Sequence, residues 1–339
     1  VVVYDGDVDG AGGGVYSQDS EFTYTSSSVS TNSARLGSGL YVSGEDGTPR
    51  ITSSTLLLNG VSTTDDGGGA YFTGTVTAAV VEQSFVTSNT AGTGGGLYFT
   101  GSAAFSVAES TVRSNSAGTS GGGVRVSGSS ASPSFVDLSV VQSNTAKGVG
   151  GGVSVDDGGV FSADLTYIGG NSVTTDAGAG SGGGVFAEGT NSAASLTNSW
   201  VSLNSAAGSG GGVYLSADTE LDVSGVIVSG NTAVTNGAGV FGTSADVTSL
   251  NSTLDHNSVG GGLGGGVYAL STLLDLETTT FEWNSGASLG GGAYVEGTSG
   301  ANEVTTVTFR SNTAVSGGGV YLTAVPVFKF DGTSVTSNT

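Results

Sequence analysis

The chain of 339 residues contains no cysteine, no methionine and only three prolines. Without cysteine, disulfide bonds and thiolate metal sites are excluded. The sequence also has no signal-peptide pattern and no apolar run long enough for a transmembrane helix. We therefore expect no membrane-spanning segment within these residues.

Basic residues are scarce as well: seven lysines and arginines stand against 28 aspartates and glutamates, so the net charge is −21. Nucleic acids and anionic membranes bind basic surfaces, so neither is an expected partner. The basic residues are scattered along the chain and form no obvious group. His256 is the only histidine, and we interpret it as an exposed residue.

Glycine is abundant, with 63 residues, and much of it belongs to a repeat. Most copies contain an apolar residue, two variable residues, Asn, Ser or Thr, and a small apolar residue. A loop of variable length then leads to Gly-Gly-Gly, an apolar residue and an aromatic residue. The repeating asparagines are Asn32, Asn59, Asn89, Asn115, Asn144, Asn171, Asn204, Asn231, Asn257, Asn284, Asn312 and Asn338. Asp5 is interpreted as the equivalent residue of an earlier copy, so 333 residues contain 12 intervals with a mean period of about 28, which is typical of solenoids.

Apolar residues within each copy follow the period of a β-strand. Residues eight and ten before the Asn are mostly apolar, as in Val107 and Phe105. After the glycines, the first and third residues are usually apolar, as in Leu97 and Phe99. This i, i+2 spacing predicts three short strands per copy and no helix. The prediction is an all-β fold, a right-handed parallel β-helix of about 12 coils, with residues 1–339 as a single domain.

The repeated Asn has a physical role in such a fold. An Asn stacked at each coil donates its amide to one neighbour and accepts from the other, so a buried polar group keeps its hydrogen bonds. Asn also tolerates the left-handed conformation that a corner requires. The glycines permit positive φ and a close approach of the next coil. We therefore predict that the twelve asparagines form a buried structural ladder.

Both ends of the chain carry the same strand of the repeat. Val2–Asp5 fits the apolar-x-x-Asn pattern, and Val335–Asn338 is the same strand twelve coils later. Neither end shows the polar capping repeat that solenoids use to protect their open strand edges. We expect either a segment of a longer solenoid or a filament subunit that stacks on copies of itself.

Two motifs resemble those of a known family. Phe281–Asn284 reads Phe-x-x-Asn, and Gly291–Tyr294 reads Gly-Gly-Ala-Tyr. Paired motifs of this kind are typical of the polymorphic outer membrane proteins of chlamydiae and of related autotransporter passenger repeats. The resemblance implies a β-helix exposed on a bacterial cell surface, with an adhesin-like role.

One acidic segment has the spacing of a calcium loop. Asp5, Asp7 and Asp9 alternate with other residues and precede Gly10, so three carboxylates could converge on one calcium ion. The twelfth position is Tyr16 and not Glu, so the complete EF-hand pattern is absent. The segment is therefore either a calcium site or a solvated acidic turn, and no other cofactor is expected.

A row of aromatic residues follows the glycines. It occupies the second position of the predicted glycine strand, which should point outward because its neighbours point inward. Its members are Tyr16, Tyr41, Tyr71, Tyr98, Phe186, Tyr214, Phe241, Tyr268, Tyr294 and Tyr321, and Arg125 and Ser154 interrupt it. The row either stiffens the sheet by stacking or forms an exposed face that contacts another copy of the chain or a glycan.

These patterns favour an extracellular structural or adhesive β-helix without catalysis. The alternative is a carbohydrate-active β-helix, because a fold of this class does not decide its function. A hydrolase would need two carboxylates facing a groove, and the sequence does not reveal such a pair. Regular Thr-x-Thr rows at one phase, which an ice-binding surface would need, are absent.

Overall fold

A computed structural model of the chain describes residues 1–44, 48–60, 62, 64–75, 79–101, 104–129, 131–175, 180–286, 288–297 and 301–339. Within these ranges every regular element is a β-strand, and there is no helix long and apolar enough to cross a membrane. The strands pair in parallel with their equivalents in the next coil and form a solenoid of about 12 coils, which confirms the fold class predicted from the repeat.

The first long sheet, the asparagine sheet, contains the strands that end two residues before each repeating Asn. Only the central residue of most of these strands points into the core, so the first and third face outward. Its strands are Val2–Tyr4, Ser28–Ser30, Thr55–Leu57, Phe85–Thr87, Thr111–Arg113, Val140–Gln142, Tyr167–Gly169, Trp200–Ser202, Ile227–Ser229, Thr253–Asp255, Thr280–Glu282, Thr308–Arg310 and Ser334–Thr336.

The second long sheet, the glycine sheet, contains the strands that follow the repeated glycines. Their first and third residues point inward, as predicted from the apolar alternation. Its strands are Val15–Gln18, Leu40–Gly44, Ala70–Gly74, Leu97–Thr100, Val124–Ser127, Val153–Asp156, Val185–Glu188, Val213–Ser216, Val240–Thr243, Val267–Leu270, Ala293–Glu296 and Val320–Thr323.

The third long sheet lies between the other two in chain order. Its inward residues are those eight and ten positions before the Asn, such as Phe105 and Val107. Its strands are Thr23–Thr25, Arg50–Thr52, Ala79–Glu82, Ala104–Ala108, Ser132–Val136, Val160–Asp164, Ala193–Thr197, Glu220–Ser224, Asp246–Leu250, Leu273–Glu277, Ala301–Thr305 and Val327–Asp331.

A fourth, short sheet was not predicted from the sequence. It forms directly after the asparagines, where the Ser or Thr and the small apolar residue pair with the same residues of the next coil. In the described ranges its strands are Thr90–Thr93, Ser116–Ser120, Thr145–Ala146, Ser172–Val173, Ser205–Ala206, Thr232–Ala233 and Ser258–Val259. It adds a strand to the three predicted for each coil, over the middle of the described solenoid.

The interior is a continuous apolar column made from the inward residues of the long sheets. Leu97, Phe99, Phe105 and Val107 are at most 3% exposed. Each coil buries only a few such side chains, so it gains stability mainly by stacking on its neighbours. The core therefore holds the coils in register and leaves the outward residues free for other roles.

The pairing of the first coil corrects the predicted register by one residue. Val3 pairs with Val29, so Gly6 and not Asp5 occupies the place of Asn32. Asp5 has φ 57°, close to the φ of 56° at Thr31, which is the residue before the Asn. The sequence assigns this place to Asp5 because its side chain is similar in shape to that of Asn, whereas Gly6 has no side chain.

Candidate functional site

The repeating asparagines form a hydrogen-bonded ladder inside one corner. Asn115 Nδ2 donates to Asn144 Oδ1 at 3.0 Å and to the Val86 carbonyl at 3.0 Å. Its own Oδ1 accepts from Asn89 Nδ2 at 3.0 Å and from the Asn89 backbone N–H at 2.9 Å. Both amide protons and both acceptor positions are therefore used, which removes the cost of burying the group.

The same arrangement joins the predicted asparagines from Asn32 to Asn338. All except Asn338 are at most 1% exposed, and Asn338 is half-buried. The sequence predicts a left-handed conformation at the Asn itself. The structure instead places the residue before the Asn in that conformation, for example Ser114 with φ 54°. Turning the chain one residue early lets the Asn side chain point into the corner.

The glycine triple has a different requirement at each position, as Gly94–Gly96 illustrates. Gly94 has φ 58°, which favours glycine. A Cβ on Gly95 would lie 2.5 Å from the Gly122 carbonyl oxygen, and one on Gly96 would lie 2.9 Å from Asn115 Nδ2. The second and third glycines thus make room for the next coil and for the asparagine ladder.

A second polar ladder was missed by the sequence analysis. The Ser84 backbone N–H donates to Ser110 Oγ at 3.1 Å, and the Ser110 N–H donates to Ser139 Oγ at 3.3 Å. The Ser110 hydroxyl itself donates to the Ala108 carbonyl at 2.7 Å. The sequence does contain a pattern that predicts this ladder, because Ser or Thr lies five residues before the Asn in ten of twelve copies.

The aromatic row lies on the outer face of the glycine sheet and is separate from the core. Tyr268 packs among other members of the row, whereas its strand neighbours Val267 and Ala269 belong to the core column. From Phe186 to Tyr321 consecutive rings stack with centroids 4.8–5.6 Å apart and interplanar angles of 1–8°. Tyr16, Tyr41, Tyr71 and Tyr98 form a second group, whose last pair is edge-to-face.

The outward-facing row is covered over much of its length. Phe186, Phe241, Tyr268 and Tyr294 are at most 9% exposed, because each ring covers its neighbours and leucines from the adjoining loops pack against them. Of the residues in the row, only Tyr16 is largely exposed to solvent, with 53% of its surface accessible. Stacking has used most of the ring surface that a ligand would need.

Arg125 replaces an aromatic ring where the row is interrupted. Its guanidinium carbon lies 5.3 Å from the centroid of the Tyr98 ring, and Nη2 lies 2.9 Å from Asp156 Oδ2. Nη1 also donates to Ser120 Oγ at 2.6 Å. The cation therefore covers one face of the Tyr98 group, and the fully buried Ser154 follows it in the next coil.

We expect the stacked rings to stabilise the solenoid. Replacing Tyr268 by alanine removes a ring that lies 4.9 Å from Phe241 and 5.2 Å from Tyr294, and should lower the free energy of unfolding by about 2 kcal/mol. Tyr268→Phe keeps the ring and should change stability by less than about 0.5 kcal/mol. Urea unfolding of both variants tests this, and equal effects of the two substitutions would contradict it.

The same burial predicts a loss of stability in alkali. Burial raises the pKa of the Tyr98, Tyr214 and Tyr268 phenols above their ordinary value. The folded state therefore holds these protons more tightly, so the stabilisation is complete below about pH 10 and decreases as the pH rises further. Unfolding measured across that range should show the decline, and the Tyr214→Phe/Tyr268→Phe variant should show a shallower one.

The predicted calcium residues do not converge. Asp5, Asp7 and Asp9 are exposed on the first coil, and Asp5 Oδ1 accepts a hydrogen bond from the Thr31 hydroxyl at 2.8 Å. Among the described residues no three acidic or histidine side chains are placed to hold a metal ion. In the present arrangement the three carboxylates lie in a solvated turn, and calcium binding by this segment stays a prediction.

An acidic groove of about 550 Å³ lies at the corner between the glycine sheet and the third sheet. Asp218, Glu220 and Asp246 line it together with several hydroxyl groups. Glu220 and Asp246 occupy paired positions of adjacent strands, which places two like charges side by side. The sequence analysis did not identify this pair, because the carboxylates are 26 residues apart.

A second unpredicted group lies on the outer face of the asparagine sheet. Asp255, Glu282 and Arg310 occupy equivalent positions in three successive coils, and His256 and Trp283 follow the first two at the corner. Trp283 Nε1 donates to Glu282 Oε1 at 2.6 Å, and Arg310 Nη2 donates to Glu282 Oε2 at 2.5 Å. The hydrogen bond from Arg310 lowers the pKa of Glu282. We call these five residues the Trp283 cluster.

His256 is exposed, as predicted, and it is part of this cluster. Its Nδ1 lies 2.9 Å from Asp255 Oδ2, and its ring centroid lies 6.3 Å from that of Trp283. The sequence alone does not predict that these groups lie together, because His256 and Arg310 are 54 residues apart. Two coils of the solenoid bring them onto one surface.

No protein-family model, curated protein or solved structure matches this chain. The resemblance to polymorphic outer membrane proteins therefore rests on the two repeat motifs. The fold agrees with a β-helix repeat protein, and the role of its outer faces has to be inferred from their chemistry.

Proposed function

We propose that this chain is an extracellular structural or adhesive β-helix, a rigid rod that carries contact surfaces on a bacterial cell surface and does not catalyse a reaction. The supporting observation is the asparagine ladder, which joins successive coils from Asn32 to Asn338 by paired hydrogen bonds. A rod whose coils are joined in this way resists bending, as a spacer or stalk must. The acidic, cysteine-free composition is compatible with an exposed position.

Cells that produce the protein provide the test. Antibodies against the folded chain should label intact cells, and deletion of the gene should reduce attachment of the cells to surfaces or to other cells. Labelling that appears only after the cells are permeabilised would contradict the proposal. Normal attachment after deletion would leave a structural role and remove the adhesive one.

The partners proposed for the rod are copies of itself and cell-surface glycans. Light scattering over a range of protein concentrations tests self-association. An increase in mass with concentration would support a fibre, whereas a constant monomer mass would exclude one under those conditions.

The acidic groove supports a second candidate function, the cleavage of a polysaccharide. Paired carboxylates that face a groove are the groups that glycosidases use, and Glu220 and Asp246 lie at paired strand positions that line the groove. Release of reducing sugar ends from neutral polysaccharides, lost in both Glu220→Gln and Asp246→Asn variants, would favour this function over the proposed one. Absence of such release from a broad panel would exclude it for those substrates.

A further inference from the structure

We infer that the Trp283 cluster binds an uncharged oligosaccharide. The inference rests on the adhesive role proposed above and identifies the chemistry of its ligand. The sequence analysis placed the contact face on the aromatic row, but stacking covers most of those rings. The exposed aromatic groups of the asparagine sheet have a different arrangement.

Both tryptophans of the chain lie along the asparagine sheet. Trp283 is 53% exposed and Trp200 is 39% exposed, although burial of such large side chains is usually favourable. Neither packs against another ring in the manner of the aromatic row; the nearest described ring to Trp283 is that of His256, at 6.3 Å. The ring surface at these positions is therefore open to a ligand.

Trp283 is held in a fixed orientation while it is exposed. Its indole N–H donates to one oxygen of Glu282, and Arg310 binds the other oxygen of the same carboxylate. A side chain that is already ordered loses little entropy when a ligand stacks on it. The two hydrogen bonds therefore order the indole ring and leave its face accessible to a ligand.

The polar groups around Trp283 match a ligand that carries hydroxyl groups. Glu282 presents acceptors and Arg310 and His256 present donors, whereas Asp255 Oδ1 is buried and has no hydrogen-bond partner within the described chain. Sugars combine hydroxyl groups with a face of C–H bonds, and that face stacks on the negative face of an aromatic ring.

Charge selects an uncharged ligand over the other possible occupants. Two carboxylates and one guanidinium leave the cluster with a formal net charge of about −1. A second copy of the chain would bring another net charge of −21, which opposes its side-by-side approach to this face. Polyanions would meet the same repulsion. A cationic partner would be drawn more strongly to the paired carboxylates of the third sheet, Glu220 and Asp246.

A second aromatic surface extends the site along the rod. Trp200 lies three coils before Trp283, about 14 Å along the axis at the usual spacing of strands. Beside it, the Tyr167 ring lies over Gly169, where a Cβ would come within 2.1 Å of the ring. The glycine thus lets the ring lie flat on the sheet. Through the pairing of successive strands Trp200 is in register with Thr280, three residues before Trp283, so the two rings are also about 10 Å apart across the sheet. An extended sugar chain laid obliquely across this face would reach both surfaces, so longer oligosaccharides should bind better.

Titration calorimetry with neutral disaccharides and tetrasaccharides of glucose, galactose, mannose and N-acetylhexosamines tests the inference. At least one tetrasaccharide should bind, and Trp283→Ala should weaken it by about tenfold. Trp200→Ala should weaken tetrasaccharide binding and leave disaccharide binding unchanged. Phe85→Ala is the matched control, because Phe85 is 50% exposed on the same face but lies several coils away.

Three results would overturn the inference: no binding across the panel, unchanged binding in the Trp283→Ala variant, or a change of mass in light scattering when Trp283 is replaced, which would identify a second copy as the occupant. Circular dichroism and thermal unfolding of each variant verify that it folds. The surface labelling described above is independent of this result. Labelled cells whose protein binds no sugar would contradict only the ligand, whereas unlabelled cells would contradict the proposed function.

Discussion

A Gly122→Ala variant should be among the least stable single variants of this protein. A Cβ at this position would lie 2.4 Å from the Gly151 carbonyl oxygen and 2.5 Å from that of Thr145. Both atoms belong to the backbone of the next coil, so neither can move without disturbing the ladders on either side. We expect a loss of about 3 kcal/mol or more in the free energy of unfolding, because strain in a packed interior is relieved only by backbone shifts.

Gly261→Ala is the matched control for this experiment. No heavy atom lies within 4 Å of a Cβ built on Gly261, and an Ala residue in an open loop should change stability by less than about 0.5 kcal/mol. Urea unfolding of both variants provides the comparison. If Gly122→Ala were as stable as Gly261→Ala, the close stacking of the glycines would not be needed for the fold.

An Asn144→Leu variant should be destabilised by about 3–4 kcal/mol. Leucine has a similar size, but it cannot accept the hydrogen bonds that Asn144 Oδ1 receives from the Asn115 N–H and Nδ2, both at 3.0 Å. It also cannot donate to the Val112 carbonyl or to Asn171 Oδ1. Each buried polar group left without a partner costs about 1–3 kcal/mol.

Gln142→Leu tests whether this loss depends on the ladder. Gln142 belongs to the same coil and carries the same amide group, but it is half-buried on the outer face. Its replacement should change stability by less than about 0.5 kcal/mol. Similar losses for the two variants in denaturant unfolding would mean that removal of any amide, and not the ladder, is responsible.

The two ladders show why some polar positions are easier to predict than others. Asn recurs at one phase and has few alternative roles in a strand-rich repeat, so the asparagine ladder can be predicted from the sequence. Ser and Thr are frequent throughout the chain, so the ladder that includes Ser110 and Ser139 is hidden by serines of the surface. The structure separates them, because the hydroxyls at the position five residues before the Asn accept a backbone N–H from the previous coil in one coil after another.

The aromatic row shows the limit of reasoning from alternation. Alternation predicts which face of the sheet Tyr268 occupies, and that face is the outer one. It does not predict that Phe241 and Tyr294 would cover the ring, since this depends on side-chain rotamers and on loops that differ in length between coils. The contact face was therefore predicted on residues whose surface is already used within the chain.

The sequence by itself determined the repeat, the parallel stacking of coils, the inward residues and the recurring asparagine, because each of these depends on periods that are visible along the chain. The phase of the first coil, the fourth strand and the surfaces exposed on the rod were decided only by the tertiary structure. The Trp283 cluster illustrates the reason. Asp255, Glu282 and Arg310 are separated by whole repeats, and a surface site forms from them only because coil pairing places equivalent residues side by side.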